Sequence, residues 1–429
     1  MSGTQRWKLF VMMVLQFFIW GAWFPLIFGY LPSLGFTASE QSWILNAFPI
    51  AAIVGLFFSN RFADESFAAE KFLAFSHLVG GAAMVALGFT QSFWPFLILM
   101  YVHCLLYVPT ISITNSIAFT HLKDAQREFG IVRMGGTIGW ILAAWPFIFL
   151  FVDWTAVNAL QPQPEGLTAW LGAAFAHPLT GDAAKAARAS SFLVAGGASL
   201  LLAAFSLTLP HTPPRASERT AWVDALGLLG KPFVLVLWVV AFVDSFVHNC
   251  YFNWTETFLG SKQVGIPSNW TTAVMSIGQV AEILTMVALG AVLKRLGWRT
   301  TMIVGVLGHA ARFAVFAWLP EHAWLVVTIN VLHGICYAFF FATVYIFVEA
   351  HLPKNIRSSA QGLFNLMILG GGMLLANSVC PMLGQAYTVE GATDFRGLFE
   401  LPMYIALGAA VLLSVAFHPP TARAEDGAA

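Results

Sequence analysis

The segment PHTPPRASERTAWVD, residues 210–224, is polar, charged and rich in proline, and it interrupts a chain that is otherwise strongly apolar. Six apolar stretches precede it and six follow it. Each is about 20 residues long or longer, which allows an α-helix to cross the roughly 30 Å hydrocarbon core of a bilayer. The pattern predicts an all-α membrane protein of twelve transmembrane helices in two six-helix bundles. The predicted spans are 7–30, 42–60, 71–91, 93–120, 130–152, 188–209, 232–259, 268–293, 299–319, 322–350, 358–388 and 396–418.

The composition supports a membrane protein and argues against other classes. Of the 429 residues, 58% are hydrophobic and 10% are charged, whereas soluble domains average about 25% charged residues. The formal net charge is zero, so there is no basic field to attract nucleic acid. The four cysteines lie in apolar spans without C-x-x-C spacing, which predicts free thiols. We expect a monomer surrounded by membrane lipid, with no cofactor, metal or nucleic-acid partner.

The distribution of Lys and Arg predicts the orientation of the chain, because basic loops stay on the cytoplasmic side of a membrane. If both termini are cytoplasmic, sixteen of the 21 basic residues fall in cytoplasmic segments. Four fall on the opposite side, and Arg312 lies inside a helix. The pattern predicts a multi-pass protein of the cytoplasmic (inner) membrane with both termini in the cytoplasm.

The central polar segment also sets the domain boundaries. We predict an N-terminal bundle at 1–210, a cytoplasmic linker at 211–231 and a C-terminal bundle at 232–429. Short charged turns, NRFADESFAAEKF (60–72) and LKRLGWRT (293–300), occupy equivalent positions in the two halves and indicate a repeated unit. This layout resembles the major facilitator superfamily, whose halves rock about a site near the middle of the membrane.

The eighth span, which contains SIGQVAEILTM (276–286), places a carboxylate and an amide in an apolar run. Glu282 lies roughly 20 Å into the span, near the centre of the bilayer. An ionised residue there costs around 3 kcal/mol, so such residues usually face a watery cavity or a partner and are candidates for function. Gln279 shares its helical face. The two side chains either bind a ligand in a cavity or form hydrogen bonds between helices.

The seventh span, which contains DSFVHNCYFNWTETF (244–258), is unusually dense in polar and aromatic groups. Residues spaced by three or four share a helical face. One face carries Asp244, His248 and Phe252, and a neighbouring face carries Asn249, Asn253 and Glu256. His248 is either a packing residue or a gate or proton relay. Glu256 lies near the outer end of the span and is expected to be solvated.

The fifth span contains VRMGGTIGW (132–140), in which Arg133, Thr137 and Trp140 share one face that runs from the cytoplasmic end toward the centre. Arg133 has two open interpretations. It anchors a ligand or closes an inner gate, or its side chain simply extends to the membrane–water interface. Small residues let another helix approach this span closely. They are Gly135, Gly136 and Gly139.

Two further features lie at mid-depth. The tenth span contains YAFFFATVY (337–345), and rings such as that of Tyr337 can together form a stacking wall for a flat ligand. The ninth span contains Arg312, which we expect to pair with a backbone carbonyl or an acid.

Motifs from both halves resemble the nucleoside:proton symporter family of bacterial nucleoside permeases, within the major facilitator superfamily. They occur in the family's order. The motifs are LQFFIWGAW (15–23), LLYVPTISITNSIAF (105–119), RMGGTIGW (133–140), SLTLPHTP (206–213), SIGQVAEIL (276–284), ARFAVFA (311–317) and IRSSAQGLF (356–364).

The resemblance implies that a nucleoside binds between the halves and that several residues contact it. The residues that match family binding positions are Arg133, Thr137, Trp140, Asn249, Phe252, Asn253, Gln279 and Glu282. Trp140 stands where relatives have another aromatic residue, and Asn249 where they have a longer amide. Phe252 falls on an amide position, unless Asn253 replaces that amide after a small local shift. Tyr337 completes the candidate substrate-binding set as part of the aromatic wall.

The tenth span departs from the family pattern. The sequence HGICYAFF (333–340) has Ala338 where the family carries an aspartate, and alanine cannot carry a proton. The resemblance then implies that Glu282, Asp244 or His333 couples protons, or that the protein is a uniporter. Weak proton coupling is the expectation that follows from Ala338.

We interpret the sequence as a proton-coupled secondary active transporter that moves nucleosides across the cytoplasmic membrane by alternating access, and not as an enzyme. A neutral, flat ligand rich in hydroxyl groups needs several hydrogen bonds and an apolar plate, and the residues at mid-depth provide both. Glu282 and Gln279 would bind hydroxyl groups, and Trp140 would stack on the base. Two alternatives stay open: a sugar or polyol carrier of the same fold, and a membrane receptor that binds without translocating.

Overall fold

The computed structural model describes residues 3–55, 67–122, 125–214, 226–352 and 357–420. Every candidate site residue named above lies within these ranges. Much of the first charged turn and residues 215–225 of the predicted linker lie outside the described residues.

The described chain is almost entirely helical, because apolar segments in a bilayer must satisfy their backbone N–H and C=O groups internally. Single π-helical turns at Tyr337–Ala342 and Leu366–Gly371 interrupt the tenth and eleventh spans. Two short strands, β1 (Thr388–Val389) and β2 (Ala392–Thr393), pair antiparallel. The helices are α1 (Gly3–Ser33), α2 (Ala38–Leu45), α3 (Ala47–Val54), α4 (Ala69–Leu87), α5 (Phe93–His121), α6 (Ala125–Ala144), α7 (Pro146–Leu150), α8 (Trp154–Asn158), α9 (Gly166–Ala176), α10 (Gly181–Ser206), α11 (Pro232–Leu259), α12 (Thr271–Trp318), α13 (Ala323–Thr328), α14 (Val331–Cys336), α15 (Thr343–His351), α16 (Arg357–Asn365), α17 (Gly372–Ala386) and α18 (Phe395–Ala416).

The helices account for the twelve predicted spans. Within the described residues, ten helical stretches are long and apolar enough to cross a membrane. The longest, α12, has non-helical backbone at Gly297, where φ is 72° and ψ is 173°, so it comprises two spans. Glycine is suited to this positive φ because it has no Cβ. The broken pair α2 and α3 forms the remaining span, and the all-α prediction is confirmed.

The chain divides into two compact units. Unit 1 comprises Met1–Arg215 and Trp254–Ser276, and unit 2 comprises Ala216–Asn253 and Ile277–Ala429. The end of α11 and the start of α12 therefore pack with the helices of unit 1, while the rest of both helices belongs to unit 2. The predicted bundle boundaries stay a prediction.

Glycines on α6 allow close contact with α1 in unit 1. A Cβ at Gly139 would lie 2.1 Å from the carbonyl oxygen of Val14, and one at Gly135 would lie 2.8 Å from that of Phe10. Both distances are far below van der Waals contact, so only glycine fits at this helix crossing. The prediction that these glycines let another helix approach is confirmed, and α1 is that helix.

Candidate functional site

The predicted face of α6 lies against aromatic residues of α1 in unit 1. The guanidinium carbon of Arg133 is 4.1 Å from the centroid of the Phe17 ring, within the range of a cation–π interaction. The Trp140 ring meets the Trp20 ring edge to face, with centroids 5.2 Å apart. Arg133, Thr137 and Trp140 are all half-buried. This face combines a fixed positive charge, a hydroxyl group and a broad aromatic surface.

Trp20 extends the aromatic surface, and sequence reasoning did not single it out. Its ring stacks on Phe48 of α3, with centroids 4.6 Å apart and planes 19° from parallel. Its indole N–H is buried and donates to none of the residues that the structure describes. The available signal was its place in the motif LQFFIWGAW.

A buried polar network in unit 1 was also missed. The His77 ring contacts the side chain of Gln16 through Nε2 at 3.0 Å and that of Ser199 through Nδ1 at 2.9 Å. Gln16 in turn donates to the hydroxyl group of Thr110 at 2.9 Å. These residues come from α1, α4, α5 and α10. Because a buried network with its partners in place rigidifies a core, we assign this network to the stability of unit 1.

Gln279 and Glu282 lie on the part of α12 that belongs to unit 2. Gln279 is 7% exposed, and its side-chain oxygen accepts no hydrogen bond from the described residues. Glu282 is half-buried one turn later. Helix α14 crosses α12 here, and a Cβ at Gly334 would lie 2.2 Å from the backbone nitrogen of Glu282. A buried, unsatisfied amide oxygen is costly without a partner, so Gln279 is suited to bind a ligand hydroxyl group.

The two asparagines on α11 use their amide groups within unit 2. Asn249 donates to the carbonyl oxygen of Ser245 at 2.8 Å. Asn253 donates to the carbonyl oxygen of Asn249 at 3.0 Å and to the side-chain oxygen of Asn377 at 3.2 Å. Their N–H groups therefore already have partners inside the unit.

The two aromatic candidates of unit 2 lie in different surroundings. Phe252 is 6% exposed, and its ring meets those of His333 and His248 at 5.6 and 5.4 Å between centroids. Tyr337 is half-buried in a π-helical turn, with its ring 5.8 Å from that of Phe341. Such turns are frequent at functional sites. The structure thus brings Phe252 together with His333.

A cluster around Arg312 forms the polar centre of unit 2. Nη1 of Arg312 donates to Nδ1 of His333 at 2.9 Å, and Nη2 donates to Nδ1 of His309 at 3.1 Å. Nε2 of His309 lies 3.6 Å from Oδ1 of Asp244. The four side chains come from three helices, α11, α12 and α14, and all are at most 3% exposed. Asp244 and His333, two predicted proton-coupling candidates, therefore belong to one cluster.

The expectation that Arg312 pairs with a carbonyl or an acid is wrong, because its hydrogen-bond partners are histidines. Its guanidinium bonds two imidazole nitrogens and lies 4.0 Å from the centroid of the Tyr251 ring. The hydroxyl group of Tyr251 donates to Asn330 at 2.9 Å. Sequence reasoning missed His309, although a histidine one turn before a buried arginine was an available signal. The unprotonated nitrogen of a neutral imidazole accepts a hydrogen bond from a guanidinium, as a carbonyl oxygen does.

The expectation that Glu256 is solvated is wrong. Glu256 is 3% exposed, and its Oε1 accepts from Nε and Nη2 of Arg188 at 3.1 and 2.8 Å. A Cβ at Gly29 would lie 1.6 Å from Oε2 of Glu256, so the carboxylate occupies space that only glycine leaves free. This ion pair joins α10 and the end of α11 within unit 1.

We expect Glu256→Gln to destabilise unit 1 by about 2 kcal/mol, because Arg188 keeps its charge and loses its anionic partner. Thermal unfolding of purified protein in detergent measures the change as a lower melting temperature. Glu165→Gln, at an exposed carboxylate of the same unit, is the matched control and should melt like the unmodified protein.

The double variant Arg188→Met/Glu256→Gln should recover part of this loss, because it also removes the uncompensated charge. A Glu256→Gln protein that melts at the same temperature as the control would contradict a stabilising role for the pair.

Comparison with known proteins extends these observations. A family model described as nucleoside H+ symporter matches residues 3–163 and 165–422. The protein YegT of Escherichia coli (strain K12) is 31% identical over 377 residues, which cover 86% of this chain and 82% of YegT. Xanthosine permease of the same strain is 27% identical over 453 residues, which cover 98% of each chain.

A crystal structure of nucleoside transporter NupG matches with a TM-score of 0.78 at 22% identity, covering 96% of this chain and 99% of that chain. This similarity shows that the fold is that of the major facilitator superfamily. The family model covers nearly the whole chain, and its members are transporters rather than enzymes. The chain belongs to the nucleoside H+ symporter family.

Proposed function

We propose that this protein carries nucleosides across the cytoplasmic membrane together with protons. The observation that carries the proposal is the unpaired, buried amide oxygen of Gln279 one turn from Glu282. An acceptor and a carboxylate at this spacing suit neighbouring hydroxyl groups, such as those of a ribose. Membership of the family supports a nucleoside as the molecule that carries them.

The remaining contacts divide between the sugar and the base. Gln279 and Glu282 accept from ribose hydroxyl groups, while the half-buried ring of Trp140 provides an apolar plate for the base. The other proposed contacts are Arg133, Thr137, Asn249, Phe252, Asn253 and Tyr337. Because the N–H groups of the two asparagines are already used, only their oxygens are offered to the ligand.

Proton coupling requires a group that gains and loses a proton. The family resemblance implies an acid at the position of Ala338, but alanine, here 0% exposed, supplies no such group. Glu282, Asp244 and His333 are the candidates among the residues discussed above. The cluster around Arg312 places the last two together, which supports coupling inside unit 2.

The proposed orientation follows from the basic residues. Both termini are assigned to the cytoplasm, because that arrangement keeps most Lys and Arg on the cytoplasmic side. The protein is proposed to act as a monomer in the inner membrane. Cysteine labelling from either side of the membrane at residues 2 and 420, one at a time, tests this orientation.

A binding screen with purified protein tests the substrate class. The ligands are uridine, adenosine, uracil, adenine, ribose and glucose, and binding is measured by calorimetry. We expect the two nucleosides to bind and the free bases and sugars to bind far more weakly. Comparable binding of glucose would favour the second candidate, a sugar or polyol carrier, because a carboxylate and an amide also suit other polyhydroxyl compounds.

Trp140→Ala is expected to weaken uridine binding by about tenfold or more, because base stacking on an aromatic ring contributes about 1–3 kcal/mol. Ribose binding should not change, since the sugar contacts are elsewhere. Trp140→Phe should retain most of the affinity for uridine. Trp94→Ala, at a tryptophan that is 69% exposed, is the control. Equal losses for uridine and ribose would count against stacking.

A further inference from the structure

Asp244 is a buried acid without a hydrogen bond. It is 1% exposed, and neither carboxylate oxygen accepts a hydrogen bond from any residue that the structure describes. Nε2 of His309 lies 3.6 Å from Oδ1. An ionised carboxylate at this depth is costly unless it has a counter-charge or takes up a proton. Asp244 is therefore placed where gaining or losing a proton has a large effect on its surroundings.

The hydrogen bonds of Arg312 decide where His309 carries its proton. A guanidinium has only N–H groups, so it donates and never accepts. Since Nη2 of Arg312 donates to Nδ1 of His309, a neutral His309 must carry its proton on Nε2, the nitrogen that faces Asp244. The same reasoning puts the proton of neutral His333 on its Nε2.

The charge balance of the cluster depends on Asp244. Arg312 is 0% exposed and stays positively charged. With Asp244 ionised and both imidazoles neutral, the negative charge of Asp244 compensates Arg312 through His309. With Asp244 protonated, the positive charge of Arg312 remains without compensation. A buried charge that loses its partner is strongly destabilising, so protonation favours a different arrangement of Arg312 and the two histidines.

His333 connects this cluster to the proposed substrate contacts. A Cβ at Gly278 would lie 2.7 Å from Cβ of His333, which places His333 directly against the residue before Gln279. One residue further along α14, Gly334 touches the backbone at Glu282. Close-packed elements transmit displacement because they cannot deform continuously. A shift of His333 must therefore move the segment that carries Gln279 and Glu282.

We propose that Asp244 is the proton-binding group of this transporter, and that His309, Arg312 and His333 are positioning residues that link its charge to the segment at Gln279 and Glu282. The proposal rests on the proposed function as a proton-coupled nucleoside carrier. A proton from the acidic side is taken up by a carboxylate oxygen of Asp244 and is later released to the other side. No covalent bond other than that O–H bond forms or breaks.

Several other titratable groups face the cluster around Arg312, and their charges affect how readily Asp244 binds a proton. His248 lies 4.7 Å from His333 and 5.7 Å from His309 between ring centroids. The groups that face the cluster are His248 and Tyr251 on α11, His309 and Arg312 on α12, and His333 and Cys336 on α14.

Reconstitution in proteoliposomes separates coupling from translocation. At one proton per nucleoside, a gradient of about one pH unit, acid outside, supports about tenfold accumulation of labelled uridine. Asp244→Asn should lower this accumulation ratio from about ten to about one. Uridine counterflow without a pH gradient should persist in the variant, because the amide leaves the proposed substrate contacts intact. Asp182→Asn, at an exposed aspartate of α10, is the matched control and should accumulate normally.

Each outcome decides a different question. Gradient-driven accumulation that persists in Asp244→Asn overturns the assignment of Asp244 alone, while an unmodified protein that shows no uridine counterflow overturns the proposed function and this inference with it. If Asp244→Asn does not bind uridine, His309→Gln replaces it as the test variant. In a His309→Gln protein that retains counterflow, lost uridine accumulation or a shift in its dependence on pH supports the link from Asp244 through His309. Unchanged accumulation with an unchanged pH dependence overturns that link.

Discussion

Glu282→Gln is expected to abolish concentrative nucleoside uptake and to weaken uridine binding about 10- to 100-fold, because hydrogen bonds to a charged group contribute about 1.5–3 kcal/mol. The substitution keeps the shape of the side chain and removes its charge. The half-buried position on α12, one turn from the unpaired oxygen of Gln279, puts the charge where ribose hydroxyl groups are proposed to bind. Uptake of labelled uridine and calorimetric binding measure the two effects.

The set of activities that each substitution impairs distinguishes the role of Glu282 from that of Asp244. Glu282→Gln should impair binding, counterflow and accumulation together, whereas Asp244→Asn should impair accumulation alone. Glu321→Gln, at a carboxylate that is 62% exposed, is the control for the loss of one negative charge. Wild-type accumulation by Glu282→Gln would refute its role in substrate binding.

Gly334→Ala is expected to have the second large effect, on both folding and transport. The new Cβ would lie 2.2 Å from the backbone nitrogen of Glu282 and 2.6 Å from the carbonyl oxygen of Gly278. Backbone atoms cannot rotate away as a side-chain end can, so α14 must separate from α12. Overpacking of this kind typically costs about 1–3 kcal/mol. Melting temperature and uridine counterflow should both fall.

Gly290→Ala is the matched control, because it also lies on α12 and a Cβ there meets nothing within 4 Å. It should fold and transport normally, and should gain slightly in helix propensity. If Gly334→Ala melts and transports like this control, the contact between α14 and the segment at Glu282 does not restrict movement. The link from His333 to the substrate contacts would then lose its basis.

Much of the architecture could be predicted from local sequence. The apolar stretches, the polar segment at 210–224 and the charged turns gave the helices and their number, and motifs in both halves gave the family. The glycines of α6 predicted a close helix crossing, although the identity of the partner helix, α1, came from the structure. The site residues Gln279 and Glu282 stood out because a polar group in an apolar span is costly.

The partners of polar residues could not be predicted in the same way. Glu256 was expected in solvent because it lies near the end of its span, yet it pairs with Arg188 from a distant part of the chain. Arg312 was expected beside a carbonyl or an acid, yet two histidines accept its hydrogen bonds. Both errors arise from judging a side chain by its depth along one helix.

The sequence by itself determined which segments cross the membrane and which family they belong to, because each helix in a bilayer satisfies its backbone internally. Only the tertiary structure decided that Asp244, His309, Arg312 and His333 meet in one cluster. These residues come from three helices whose surfaces are apolar on most sides, so hydropathy does not reveal which face turns toward which neighbour. Close packing through small residues such as Gly334 determines which faces meet. This packing depends on the residues of both helices, so neither helix sequence predicts it alone.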